Sequence, residues 1–176
     1  NMSATSTNQY LVLNSTAAVG SATDVWGTAA PTSTVFGGKV GTSGISGDTE
    51  VAYCFAPVAG YSSFGSYTGN GSADGPFVFC NFRPRWVMLK YSSGADGNWI
   101  IYDALRGSFN LNSKKLAANL SGVENESSNL GDDSFGIDFL SNGFKIRTTG
   151  PNHNTSSGTY VWAAFAESPF QYSRAR

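Results

Sequence analysis

Trp86-Val-Met-Leu89 and Trp99-Ile-Ile-Tyr102 decide the fold class of this chain. Each is apolar on consecutive positions, whereas a strand with one wet face alternates apolar with polar residues. Consecutive apolar residues mark strands covered on both faces, so these two runs belong in the centre of a sandwich. The segment between them, Ser92-Ser-Gly-Ala-Asp-Gly-Asn98, has the chemistry of a glycine-rich hairpin loop.

Working outward, short apolar or alternating runs follow one another with turn residues between them, and almost nothing repeats at a helical period. Strands are expected at 9–13, 34–40, 51–57, 61–67, 77–82, 86–92, 99–104, 135–140, 144–149 and 159–167. Residues 114–120 suit either a helical turn or a short strand. At Asn142-Gly143 the dipeptide favours a two-residue type I′ turn, which sets Phe139 opposite Ile146 and Asp138 opposite Arg147. Phe135, Ile137, Phe139, Phe144 and Ile146 then face inward, and Asp138 and Arg147 form an ion pair in water. The expected architecture is all-β: an antiparallel sandwich.

Gly65-Ser-Tyr-Thr-Gly-Asn-Gly-Ser-Ala-Asp-Gly-Pro76 carries two turn-forming dipeptides, Asn70-Gly71 and Asp74-Gly75. A glycine-rich loop cradles phosphate when a helix N-terminus follows it. Here Phe77-Val-Phe-Cys80 follows and reads as strand, so the loop is a connection and not a phosphate site.

The sequence also repeats itself. Val51-Ala-Tyr-Cys-Phe55-Ala56, followed by Tyr61-Ser62, returns as Val161-Trp-Ala-Ala-Phe165-Ala166, followed by Tyr172-Ser173. Tyr10-Leu-Val-Leu-Asn14 is loosely mirrored by Lys115-Leu-Ala-Ala-Asn119, and Thr34-Val-Phe36 by Asn142-Gly-Phe144. Self-similarity of this kind points to tandem modules. Residues 1–60 are then the back part of a first sandwich unit, and 61–176 a fuller second one. The chain opens at Asn1 instead of methionine, which fits the expectation that it is part of something longer. Cys54 falls opposite Ala164 in the repeat, a position for a small apolar side chain. Cys54 and Cys80 are therefore read as buried free thiols, with a single bridge as the alternative.

Composition excludes several classes. Charged residues make up 13% of the chain and aromatics 14%, with 21 glycines. Disordered chains show the opposite balance, and a surface of hydroxyls and amides suits an all-β protein outside the cell. The net charge of −1 gives no field to attract a phosphate backbone, so nucleic acid is not an expected partner. No apolar run reaches the ~18–20 residues that span a bilayer, so membrane insertion is not expected either.

Tyr67-Thr-Gly-Asn-Gly-Ser-Ala-Asp-Gly-Pro76, followed by Phe82-Arg-Pro84 and Trp86-Val-Met-Leu-Lys90, resembles a repeated module of tailed-phage virion proteins, notably of marine phages. Trp99-Ile-Ile-Tyr-Asp103 with Arg106, Asp138-Phe-Leu-Ser-Asn-Gly-Phe-Lys145, Ala163-Ala-Phe-Ala-Glu-Ser-Pro-Phe170 and, in the first copy, Thr32-Ser-Thr-Val-Phe36 fit the same pattern. The first copy departs from it, lacking its opening strands and the Arg-Pro/Lys/Trp segment. The resemblance implies a lectin-like sandwich of concanavalin or jelly-roll type in a tail fibre or related part. It also implies a place in the virion or outside the cell, a homo-oligomer (trimer or filament), and contacts with other virion proteins. It brings no catalytic constellation.

The residues give little support for catalysis. Glycoside hydrolysis needs two carboxylates across a cleft. The candidates are Glu124, Glu126, Asp132, Asp133, Asp138 and Asp103; the first four sit in Ser/Asn/Gly-rich stretches, and Asp138 already has Arg147. His153, the only histidine, lies in a polar loop with no nucleophile motif beside it. Asp132 and Asp133 with loop carbonyls are the candidate Ca²⁺ ligands, since that cation takes oxygen donors. For sugar binding an exposed ring should stack on the ligand with amides nearby; Trp26 is the first candidate, then Tyr67 and Asn98. Trp86, Trp99 and Trp162 read as core. With the role the resemblance implies, the expected function is a non-enzymatic structural or adhesive module of a virion appendage, with host-surface glycan among its expected contacts. The alternative is a carbohydrate-binding domain of a secreted or cell-surface protein.

Overall fold

The computed structural model describes residues 9–22, 25–26, 32, 34–37, 51–94, 97–124 and 136–168. The chain falls into two compact units, Asn1–Leu11 with Val19–Phe55, and Val12–Ala18 with Ala56–Arg176.

In the smaller unit, β1 (Gln9–Tyr10) pairs antiparallel with β2 (Gly20–Ser21). The end of the Tyr10 ring closes on Gly20, where any Cβ would sit 2.6 Å from a ring carbon. Val25 is buried, and the Trp26 indole Nε1–H donates to the Gln9 carbonyl at 2.6 Å.

The larger unit is an antiparallel β-sandwich. Its strands are β3 (Ser62–Thr68), β4 (Phe77–Phe79), β5 (Pro84–Tyr91), β6 (Trp99–Asp103), β7 (Lys115–Ala117), β8 (Ile137–Leu140), β9 (Gly143–Ile146) and β10 (Thr159–Ala166). One sheet runs β3-β10-β5-β6-β7 and the other β4-β9-β8. Among the described strands of this unit, β5-β6-β7 and β8-β9 are local meanders, and β10 inserts between β3 and β5.

Period two sorts the side chains. Val87 and Leu89 on β5, Ile100 and Tyr102 on β6, and Trp162 and Ala164 on β10 point inward. They meet Val78, Ile137, Phe139, Phe144 and Ile146 of the small sheet in one core. Phe144 and Trp162 pack edge-to-face, with ring centroids 5.7 Å apart. The Trp162 ring lies on Gly65 of β3, where an added Cβ would come within 3.0 Å of it. Fully burying side chains of this size stabilises by about 1.5–3 kcal/mol each.

The other face of the large sheet is apolar too, which is why the two runs that decide the fold show no alternation. Trp86, Met88, Ile101 and Trp99 point outward there and are half-buried. At one end Phe165 gathers Tyr61, Phe64 and Trp86, with centroids 5.6–6.0 Å away. A β-bulge at Arg85 ends this row, since Phe165 faces Trp86 but Ala166 faces Pro84. Across the middle, Lys90 is fully buried and its Nζ donates to the carbonyls of Thr16 (2.9 Å) and Gly97 (2.6 Å).

Several expectations change. The β8–β9 hairpin turns at Ser141-Asn142, with Leu140 opposite Gly143, Phe139 opposite Phe144 and Ile137 opposite Ile146. No residue of that turn has positive φ. The register slips by two from the expected one, so every side chain keeps its face, and Arg147 still reaches Asp138 at 3.4 Å along a diagonal. Glycine stands at 143 for a different reason: β4 passes so close that a Cβ there would lie 2.1 Å from the Val78 carbonyl oxygen. Residues 51–57 form no strand; Val51, Tyr53 and Phe55 are exposed, and an extended segment becomes a strand only with a ladder partner. Cys80 is a buried free thiol as expected, with burial pushing its pKa up to about 12, but Cys54 is exposed. Residues 115–117 are strand, not helical turn.

Candidate functional site

The densest polar cluster surrounds a single helical turn, α1 (Pro151–Asn154), which proline opens at a position needing no N–H donor. Asn154 is fully buried and works as a hub. Its Nδ2 donates to the Asn70 Oδ1 (2.9 Å), the Ser72 carbonyl (2.6 Å) and the Thr148 carbonyl (2.9 Å). Its Oδ1 accepts from the Asn70 N–H at 2.8 Å. One amide thus organises the glycine-rich loop between β3 and β4. Glycine is needed at 69, because a Cβ would meet the Thr155 carbonyl oxygen at 2.2 Å.

His153 is buried beside it. Its Nε2 lies 2.7 Å from the Tyr102 hydroxyl, and its carbonyl accepts from the Tyr67 hydroxyl at 2.7 Å. Burial, and then the charge of the fully buried Lys115, bring its pKa down to about 3, so the imidazole is neutral. In that state Nε2 and the Tyr102 hydroxyl share one hydrogen bond whose direction follows the imidazole tautomer, and burial strongly opposes ionisation of Tyr102. Tyr67, Tyr160 and Tyr91 stack side by side across β3, β10 and β5, with centroids 5.0 and 4.9 Å apart. The Tyr160 hydroxyl donates to the Pro151 carbonyl at 2.6 Å and accepts the Thr155 N–H at 2.7 Å. Every donor and acceptor of this latch that carries a bond is matched by another part of the same chain. It holds loops in place, with His153 Nε2 and the hydroxyls of Tyr67, Tyr102 and Tyr160 engaged within the chain.

Outside, the pattern is reversed. On β4, Phe77 and Phe79 are 46% and 58% exposed while Val78 between them is buried. They share the outer face of the small sheet with Lys145 and Asp138, which lie in one cross-strand row with Phe77. Lys145 pairs with Asp74 at 2.8 Å and, with Arg147, holds that exposed carboxyl below its usual range.

The residues singled out from sequence land apart. Tyr67 is half-buried in the tyrosine stack. Asn98 is buried; its N–H donates to the Asn152 Oδ1 (2.8 Å) and its Oδ1 accepts from Asn119 (2.8 Å). Both are engaged internally instead of being presented to a ligand. Trp26 lies in the smaller unit, half-buried and bonded to Gln9. Asp132 and Asp133, the candidate calcium ligands, fall outside the described residues, and among the described residues no cluster of His, Cys, Asp and Glu suits a metal ion. Of the other carboxylates, Glu124 pairs with Arg106 at 2.6 Å and Asp103 with Arg85 at 3.6 Å. Sequence reasoning missed the latch: His153 and Asn154 sit in a polar stretch, and only their long-range partners reveal them as core. It also missed Phe77 and Phe79, whose alternation about Val78 was the available signal.

No described helix is long and apolar enough to cross a membrane. A family model described as a domain of unknown function, DUF7483, matches residues 1–169. No curated protein and no solved structure matches the chain.

Proposed function

The chain belongs to the DUF7483 family, a description that carries no activity, and we propose from its own geometry that it is a non-enzymatic structural and adhesive module. Its work is assembly with copies of itself and with neighbouring proteins. The observation that carries this reading is the contrast between latch and surface. The polar groups best suited to chemistry are buried and matched to one another, whereas apolar rings are exposed on a sheet edge. Rigid sandwiches of this kind suit a particle appendage such as a phage tail fibre, facing a host surface. That placement draws on the resemblance of Tyr67–Pro76, Trp86–Lys90 and Trp99–Asp103 to virion modules.

Sedimentation and electron microscopy of the purified chain test the proposal: defined oligomers or filaments are expected, with no cleavage of polysaccharides. A strictly monomeric chain that degrades a glycan would overturn it. Saturable binding on a glycan array, lost in Trp26→Ala while the chain remains monomeric, would favour the carbohydrate-binding alternative instead.

A further inference from the structure

The two edges of the small sheet are treated differently. At β8 the edge is closed: Asn112 exchanges both backbone hydrogen bonds with Ile137 (2.9 and 3.1 Å). Asn110 then imitates a strand with its side chain, accepting the Phe139 N–H at 2.9 Å and donating to the Phe139 carbonyl at 3.1 Å. At β4 nothing comparable exists among the described residues. The Pro76 carbonyl and the Cys80 N–H bond toward β9 and its turn. By antiparallel alternation, the peptide groups of Phe77 and Phe79 point the other way. That edge therefore offers two N–H donors and two carbonyl acceptors beneath two exposed phenyl rings.

We propose that β4 pairs with β4 of a second copy, antiparallel, about a twofold axis at Val78. The inference rests on the assembling role proposed above and names its surface. An open edge of this kind is filled by an extended strand, because only a strand matches its spacing of donors and acceptors. A second copy fits because the edge is its own complement. With Val78 opposite Val78, Phe77 of each chain faces Phe79 of the other, and all four outward peptide groups on each side find partners. The phenyl rings meet on one face, where direct cross-strand aromatic pairs are favourable. The charges agree as well. In this register the two Lys145 side chains lie three strands and two residues apart, roughly 16 Å, beyond the ~8 Å screening length at physiological salt. Each also keeps its Asp74 partner. Two three-stranded sheets become one of six strands.

Three residues a side bury less than the ~1,000 Å² a free-standing interface needs. The contact therefore forms between concentrated or tethered copies, where effective concentration is high.

Disulfide capture reads the register directly. In a Cys54→Ser background, Phe77→Cys and Phe79→Cys proteins are mixed under mild oxidation. Directly opposed residues sit about 5.5 Å apart at Cα, within bridging range, whereas 77 and its own copy are about 8 Å apart. The expected product is the mixed 77–79 dimer, well above either homodimer. In parallel, Phe79→Lys should raise the concentration at which the chain associates by about tenfold or more, with an unchanged melting temperature. Assembly that persists in Phe79→Lys, without the mixed disulfide, overturns this pairing but leaves the assembling role standing. A chain monomeric at every concentration, with no mixed disulfide, overturns both. If Phe79→Lys misfolds, the ratio of disulfide products alone decides.

Discussion

The latch around α1 and the face of β4 divide the residues in opposite ways. In the latch, asparagine, histidine and tyrosine are buried and bonded; on β4, phenylalanine is exposed and the peptide groups turned away from β9 have no partner among the described residues. The first arrangement demands that every polar partner be present, since an orphaned buried group costs about 1–3 kcal/mol. The second costs the isolated chain little and gains only when something covers it. The contrast teaches which residues hold the fold and which are available for contact.

Breaking the latch should give the largest effect. Asn154→Ala removes the amide that two N–H donors and one carbonyl tie to Asn70, Ser72 and Thr148, and orphans the Asn70 N–H, so it is expected to destabilise by about 3–5 kcal/mol in urea unfolding. Acid should reach the same region through His153. Its folded pKa of about 3 lies below the ~6.5 of an unfolded chain, so between those values only the unfolded state takes up the proton. Stability is present above pH 6.5 and is lost as pH falls toward 3; acidifying from 7 to 4 should remove about 3 kcal/mol of His153's contribution. The chain has one histidine, so NMR can follow its ring alone, and the folded signal should not titrate above pH 4. Next comes Gly143→Ala, which drives a Cβ into the Val78 carbonyl and should cost about 1–3 kcal/mol, with faster amide exchange in β4. Tyr102→Phe leaves Nε2 of His153 buried without its hydrogen-bond partner, for an expected loss of about 1–2 kcal/mol. Phe79→Ala should change the stability of the monomer by no more than about 0.5 kcal/mol while weakening association. A large loss there would erase the contrast.

Much of the fold was legible because strand period and turn chemistry act locally. The consecutive apolar runs at Trp86 and Trp99 located β5 and β6, and alternation located β3 and β10. Asn142-Gly143 marked the right hairpin but the wrong two turn residues, since the glycine answers to β4, a neighbour far away in sequence. Residues 51–57 show the converse: strand-like composition without a ladder. The latch was illegible for a related reason. Nothing in Pro151-Asn-His-Asn154 says that Tyr67, Tyr102 and Asn70 will converge there. A polar tetrapeptide between two strands reads as solvated loop until the topology buries it. Trp162 was legible as core, yet its indole Nε1–H is buried without a hydrogen-bond partner among the described residues, which composition cannot foretell.

The placement of β10 has a consequence for biosynthesis. Synthesis of β3 and β5 leaves a gap between them that only residues 159–166 can fill. A ribosome must therefore translate nearly all of the larger unit before its principal sheet becomes continuous. Until then the nascent polypeptide carries two exposed strand flanks, a sticky interval that slow translation prolongs and that molecular chaperones are suited to shield.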